Sequence, residues 1–333
     1  MAQVIRVSNL SKSFRSYTRR EGVVGSIKDL FHRNYHNVDA VDRISFNVEA
    51  GELIGYIGPN GAGKSTSIKM LTGILKPTSG EMEVLGYHPF KNRKAYTKHI
   101  GVVFGQRTQL WWDIAVLESF TLLQKIYEVP IREFNERLGM LTELLELEPL
   151  LRTPVRKLSL GQRVRCDVVA SLLHNPSVLF LDEPTIGLDA VAKDAIRSFL
   201  RKVNQDLKTT IVLTTHDLPE IEELCQRIMI IDKGRIIYDG SLLGIKTLPG
   251  LQRRVFIDFP GEAPIERLQT LFGNEVQFKK ESERRVVGSF DPKKRPAVEL
   301  LRDVVGKYDV ADITITEPTI EEVVMKIYRE GML

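Results

Sequence analysis

Short apolar runs and longer amphipathic segments alternate along most of this chain. VIRV near the start, ISFNVE at 44–49 and LIGYI at 53–57 have the character of strands. KSTSIKMLTGI has helical spacing and ends near Gly73 and Pro77. EMEVLG and HIGVVFGQ predict two further strands, the second running into a loop. Residues 114–150 predict helix, broken at Pro130, with Leu138, Leu141, Leu144 and Leu145 as an apolar stripe toward a core. SVLFLD, a helix over about 190–205, TIVLTT, a segment over about 218–226 and RIMIID follow in turn. That order predicts an α/β fold with a parallel sheet covered by helices, and GRIIYDG adds an antiparallel strand.

Two stretches depart from this rhythm. A basic insertion at residues 15–37 contains Val24, Ile27, Leu30 and Phe31 at helical spacing, which predicts a short helix. Near residue 245 the composition changes. VFIDF, VQFKK, RRVVGSF and ADITI read as short strands, and RPAVELLRDVVGK and TIEEVVMKIYRE as helices. The expected division is a main domain over 1–245 and a small α+β domain over 251–333, joined at LPG, 248–250.

Composition adds limits. The 333 residues are 43% hydrophobic and 27% charged, ordinary for a chain with a real core. The net charge of +4 is too mild to argue for nucleic acid as a partner, and it suits work beside an anionic membrane surface. No apolar stretch approaches the ~20 residues of a membrane helix, and MAQVIRVSNL lacks the apolar centre of a signal peptide. Cys166 and Cys225 have no metal-type spacing and read as reduced, buried thiols of a cytosolic protein.

The chemistry concentrates at residues 58–66, GPNGAGKST. This fits G-x-x-x-x-G-K-[ST], with Gly58, Gly63, Lys64 and Ser65 at the fixed positions and Pro59, Asn60, Gly61, Ala62 and Thr66 completing the loop. A strand precedes it and a helix follows, so converging backbone N–H groups and the positive end of the helix form an anion site. Lys64 is placed for the β- and γ-phosphates of a nucleoside triphosphate and Ser65 for Mg2+. SVLFLDEP then brings Asp182 and Glu183 to the end of a buried strand, where ligands collect. Asp182 is a candidate Mg2+ ligand and Glu183 a candidate base for the attacking water.

Further residues select among triphosphate-using proteins. In LSLGQR, Ser159 precedes a helical run and Gln162 lies three residues on, a capping-box pattern that marks a second helix start and a second anion site. Gln106, Asp189 and His216 each follow a predicted strand or its turn. In this order the sequence resembles the nucleotide-binding subunit of an ABC transporter over residues 1 to about 245. GPNGAGKS is similar to its Walker A motif, VLFLDE to Walker B and LSLGQ to the signature, usually LSGGQ, with Leu160 in place of the first glycine of the pair. Gln106 matches the Q-loop glutamine, Asp189 the D-loop aspartate and His216 the switch histidine. Phe14 falls where an aromatic stacks on adenine, with Tyr17 as its substitute beside the insertion.

The resemblance implies a P-loop NTPase with a RecA-like parallel core, an antiparallel subdomain and a helical subdomain over about 107–172. It implies Gln106 as a further Mg2+ contact, and an ATPase that dimerises head to tail around two ATP. ATP on the Lys64 loop of one copy would then be completed by Ser159 and Gly161 of the other, with Gln162 as a further contact. Separate integral membrane permease subunits would place the chain on the cytoplasmic face of the membrane. Trp111 and Trp112, in the stretch after Gln106, are expected either to contact those subunits or to close the helical subdomain's own core. The terminal TEPTIEEVVMKIYRE and the insertion with GSIKDLF are similar to features of the second ABC export class, which handles drugs, antibiotics and polysaccharides. The competing readings are an importer subunit, or a soluble ABC ATPase acting on ribosomes or DNA. One phosphate loop and no sustained heptads weigh against the latter.

Overall fold

Strand-forming runs flanked by glycine and proline fold into nine strands in the first of two units of this computed structural model, which describes residues 2–17, 35–105, 107–248 and 250–330. In chain order these are β1 (Gln3–Tyr17), β2 (Tyr35–Glu49), β3 (Leu53–Ile57), β4 (Ser79–Val84), β5 (Ile100–Phe104), β6 (Val178–Asp182), β7 (Thr210–Thr214), β8 (Arg227–Asp232) and β9 (Arg235–Ser241). Six make one sheet in the order β5-β6-β7-β3-β8-β9, with β5, β6, β7, β3 and β8 paired in parallel. Every residue of β7 and the apolar part of β6 are buried. Strands covered on both faces read as unbroken apolar runs for this reason. β9 returns from β8 through Lys233 and Gly234, both at positive φ (46° and 79°), the conformation of a tight two-residue hairpin.

β1, β2 and β4 form a separate antiparallel sheet in the order β2-β1-β4. The β1–β2 ladder extends to Tyr17 opposite Tyr35, so residues 15–17 and 35–37 belong to this hairpin rather than to an independent insertion. Residues 18–34, with the expected helix of Val24, Ile27, Leu30 and Phe31, lie outside the described residues.

The region between β5 and β6 is helical, in three main pieces: Val116–Ile126, Ile131–Leu144 and Leu160–Ala170. Pro130 stands at the N-cap of the second, as a residue that cannot continue a helix but can precede one. Phe134, Leu141 and Leu145 are buried, whereas Leu144 is exposed. Leu138 extends the 134–141–145 row and Leu144 falls about a quarter-turn off it, which corrects the four-leucine stripe.

His174 fastens this region to the sheet. Its ring stacks on Tyr127, centroids 3.9 Å apart, and its Nε2 meets the Ile100 carbonyl at 2.8 Å, while Nδ1 is buried without a partner. Burial pushes its pKa down to about 4, although the Ile100 bond opposes the shift. Between this value and an ordinary ~6.5 the unfolded chain binds a proton that the folded chain does not, so stability falls as pH drops through that window. From pH 7 to pH 5 the wild type should lose about 2 kcal/mol more than a His174→Phe variant. Urea midpoints at both pH values check this, and equal losses would place the titrating group elsewhere.

The first unit runs to Gly240 and a second compact unit begins at Ser241. The second unit contains β10 (Arg253–Asp258), β11 (Val276–Lys280), β12 (Arg285–Phe290) and β13 (Asp312–Thr316), antiparallel in the order β11-β12-β10-β13. Helices Ile265–Phe272 and Ala297–Lys307 complete a β-α-β-β-α-β unit, and Ile320–Glu330 follows. The eight-residue helix Ile265–Phe272 was not expected from the sequence, being close to the shortest span over which helical period shows. Val255, Ile257, Leu268, Val276, Phe290 and Leu300 form this unit's own core. Among the described residues no helix is long and apolar enough to cross a membrane.

Candidate nucleotide site

β3 delivers the chain to the glycine-rich loop, and the helix Lys64–Leu71 leaves it. Gly63 caps that helix at φ 113°, and a Cβ there would stand 2.5 Å from the Ala40 carbonyl oxygen, so only glycine fits. The helix has no acidic residue in its first turn and no side-chain cap, which leaves its first N–H groups for an anion. Lys64 is 5% exposed; its Nζ donates to the carbonyls of Gly58 (2.6 Å) and Pro59 (3.2 Å), spanning the loop. Burial lowers the Lys64 pKa, while Glu183 and Asp182 hold it up.

β6 brings Asp182 and Glu183 to the same place. Asp182 Oδ1 accepts from Ser65 Oγ (3.1 Å), 117 residues away in sequence, and from Thr214 Oγ1 (2.7 Å) at the end of β7. Glu183 has left-handed backbone, φ 53°, held by its N–H donating to the carbonyl and hydroxyl oxygens of Thr214 (3.0 and 3.1 Å). Gly105 passes directly over it: a Cβ at 105 would lie 2.0 Å from the Glu183 carbonyl oxygen. The Glu183 carboxylate has Lys64 Nζ at 3.9 Å on one oxygen and His216 Nδ1 at 3.7 Å on the other. Ser65, Asp182 and Glu183 line a cleft of about 340 Å3 together with Phe104, Gly105 and Arg107.

Ser65 and Asp182 fit a hard divalent ion that keeps waters and phosphate oxygens in its shell, as Mg2+ does. Among the described residues no group of three or more His, Cys, Asp or Glu could hold a metal by itself. An ion here would therefore rest on this pair and the triphosphate. Gln106, the expected third contact, lies outside the described residues.

The expected capping box is formed. Ser159 Oγ accepts from Gln162 N–H (3.2 Å) and Gln162 Oε1 from Ser159 N–H (2.9 Å), at an exposed helix start. Asp189 caps the helix Ala190–Leu207 through Ala192 N–H (2.8 Å).

Residues 41–186 match the sequence profile of the ABC transporter family. The methionine import ATP-binding protein MetN 2 of Enterococcus faecalis is 30% identical over 301 residues, 89% of this chain and 86% of that protein. The chain belongs to the ABC transporter ATP-binding family. The Nod factor export ATP-binding protein I of Ralstonia nicotianae is 38% identical over 209 residues, 63% of this chain and 64% of that one. A solved post-hydrolysis dimer of an ATP-binding cassette with ADP and Pi superposes with a TM-score of 0.59 at 25% identity, covering 72% of this chain and 98% of its own. The P-loop ATPase fold, with its parallel core, antiparallel subdomain and helices, is that of the family's cassettes, and this subunit is an ATPase.

Within this ABC cassette, Lys64, Ser65, Asp182, Glu183 and His216 converge, while Ser159, Gly161 and Gln162 mark a separate helix start. Leu160 is 38% exposed and lies against Gly187, so the residue that departs from LSGGQ packs on the turn before Asp189. Phe14 and both tryptophans are exposed, with the Lys12 Nζ 5.2 Å from the Phe14 ring centre; Tyr17 meets Tyr35 edge to face. Thr214, which joins Asp182 to Glu183, was missed by sequence reasoning. Its only signal was a second threonine at the end of an apolar strand.

Proposed function

We propose that two copies of this chain enclose two ATP head to tail, each finishing the pocket of the other, and drive export through separate membrane subunits at the cytoplasmic face. One observation carries the shared site. Among the described residues two helix starts suit phosphate, one at the glycine loop before Lys64 and an exposed one at Ser159, and a two-fold axis supplies each ATP with one of each kind. The solved cassette, a dimer bound to ADP and Pi, supports dimerisation of this chain.

In this reading Lys64 and the loop N–H groups bind the β- and γ-phosphates. Ser65, Asp182 and Gln106 would hold Mg2+, which supplies charge neutralisation on the phosphate oxygens. Glu183 takes a proton from water as its oxygen bonds the γ-phosphorus, and the bond to the bridging oxygen breaks to leave ADP and phosphate. His216 orients the Glu183 carboxylate and faces the γ-phosphate. Loss of that phosphate removes what bridges the two copies, so the interface opens. Phe14, or Tyr17 in its place, serves as the platform for adenine. The exposed Trp111 and Trp112 suit anchors for the membrane subunits, since aromatic residues are enriched at such contacts.

Export rests on the likeness of the chain's end and insertion to the second export class and on the Nod factor relative. Import is favoured by the long alignment with MetN 2. The complex isolated from detergent-solubilised membranes and placed in nanodiscs separates the two. Export expects integral membrane companions and an ATPase that needs no soluble solute-binding protein. A strict requirement for such a protein would move the assignment to import.

A further inference from the structure

Asp167 sits in the helix that Ser159 begins, 5% exposed. Its Oδ1 accepts from the Thr108 hydroxyl and from Gln109 N–H, both at 2.9 Å. The Gln109 side chain returns a bond to the Asp167 carbonyl at 2.9 Å, and Leu110 N–H donates to Thr108 Oγ1 at 3.1 Å. One turn nearer the helix start, the Arg163 guanidinium stands 5.3 Å from the Trp112 ring centre. Trp111 N–H donates to Ser119 Oγ at 3.2 Å, adding the helix Val116–Ile126. The loop that begins just after Gln106 is thus bolted to one helix at two levels and to a second helix beside it.

Burying a carboxylate is costly unless it is fully hydrogen-bonded. Burial pushes the Asp167 carboxyl up to about 6, and the bonds from Gln109 and Thr108 pull it back. An apolar side chain would fill this position without that cost. What the carboxylate adds is a fixed attachment to residues 108 and 109, and hydrogen-bonded networks of this kind hold one geometry.

We propose that Asp167 is a positioning residue that couples the two half-sites of one chain. The inference rests on the shared-site reading above. Arg107, at the head of the bolted loop, lines the cleft of the chain's own ATP with Ser65, Asp182 and Glu183. Ser159, at the head of the bolted helix, serves the partner's ATP. Because the loop and helix move as one body, a shift of the loop on ATP binding re-aims Ser159. Without the Asp167 bonds the loop can settle on its own nucleotide while the helix stays where it was.

The test uses the full chain with Glu183→Gln, so that ATP persists. ATP affinity is measured by titration calorimetry at protein concentrations that keep the chain monomeric, and ATP-driven dimerisation by sedimentation velocity. Asp167→Ala should leave monomer ATP affinity within about twofold while raising the protein concentration needed to dimerise about tenfold, the effect of one lost interaction per site. Asp167→Asn keeps an oxygen acceptor and should recover most of the loss. A residue that merely stabilised the helix would not separate the two readouts. Dimerisation of Asp167→Ala at the parent's concentration overturns the coupling role alone, whereas a Glu183→Gln parent that stays monomeric overturns the shared site and the coupling together. Should Asp167→Ala not fold, Thr108→Val with Gln109→Leu removes the two bonds that the loop's side chains make to Asp167, leaving only the Gln109 N–H on its carboxylate. Weakened dimerisation there at unchanged ATP affinity supports the role, and unweakened dimerisation refutes it.

Discussion

Glu183→Gln should lower ATP turnover by about 10²–10⁴-fold, the usual worth of a general base, while ATP still binds. Glutamine keeps the size of the side chain and one acceptor oxygen but cannot take the proton of the attacking water. The surroundings are built to hold this group. Thr214 fixes its N–H twice, its backbone sits at φ 53°, and its two oxygens have Lys64 and His216 within 4 Å, at 3.9 and 3.7 Å. Phosphate release at saturating ATP measures turnover, and calorimetry on the same variant measures binding. Hydrolysis at the wild-type rate would remove Glu183 from the role of base.

Ser159→Arg should abolish the ATP-dependent dimer altogether when placed in the Glu183→Gln chain, and leave ATP binding by the single copy unchanged. Ser159 does two jobs. It caps its helix by accepting from Gln162 N–H, and it stands at an exposed helix start facing outward. Losing the cap alone costs about 0.5–2 kcal/mol, so Ser159→Ala should weaken the dimer and not prevent it. Arginine adds a long cationic side chain where the partner's phosphate must approach. Size exclusion of both double variants with and without ATP decides the matter, and a dimer that survives arginine would refute the shared pocket.

The two periods of the chain, two for strands and 3.6 for helices, made the parallel core legible, because buried parallel strands are unbroken apolar runs and their connecting helices are amphipathic. The phosphate loop was legible for a different reason. Glycine at 63 answers a local backbone demand, and local demands leave their mark in adjacent residues. The capping box at Ser159 and Gln162 was readable on the same ground, three residues apart on one turn. By contrast, the hairpin that carries β1 to Tyr17 and β2 back from Tyr35 looked like part of an insertion, since only strand pairing reveals its length. The helix Ile265–Phe272 was too short to announce itself.

The sequence by itself determined that a glycine loop suited to a triphosphate stands at the end of a parallel strand, and that its order of motifs is that of an ABC cassette. Tertiary structure alone decided which side chains meet. Thr214 joins Asp182 to Glu183, Leu160 rests on Gly187, and Asp167 holds Thr108 and Gln109 from 59 and 58 residues away. The reason is physical. Backbone conformation depends on neighbours in the chain, but a hydrogen bond or a packed contact depends on neighbours in space, and no spacing along a single sequence records those.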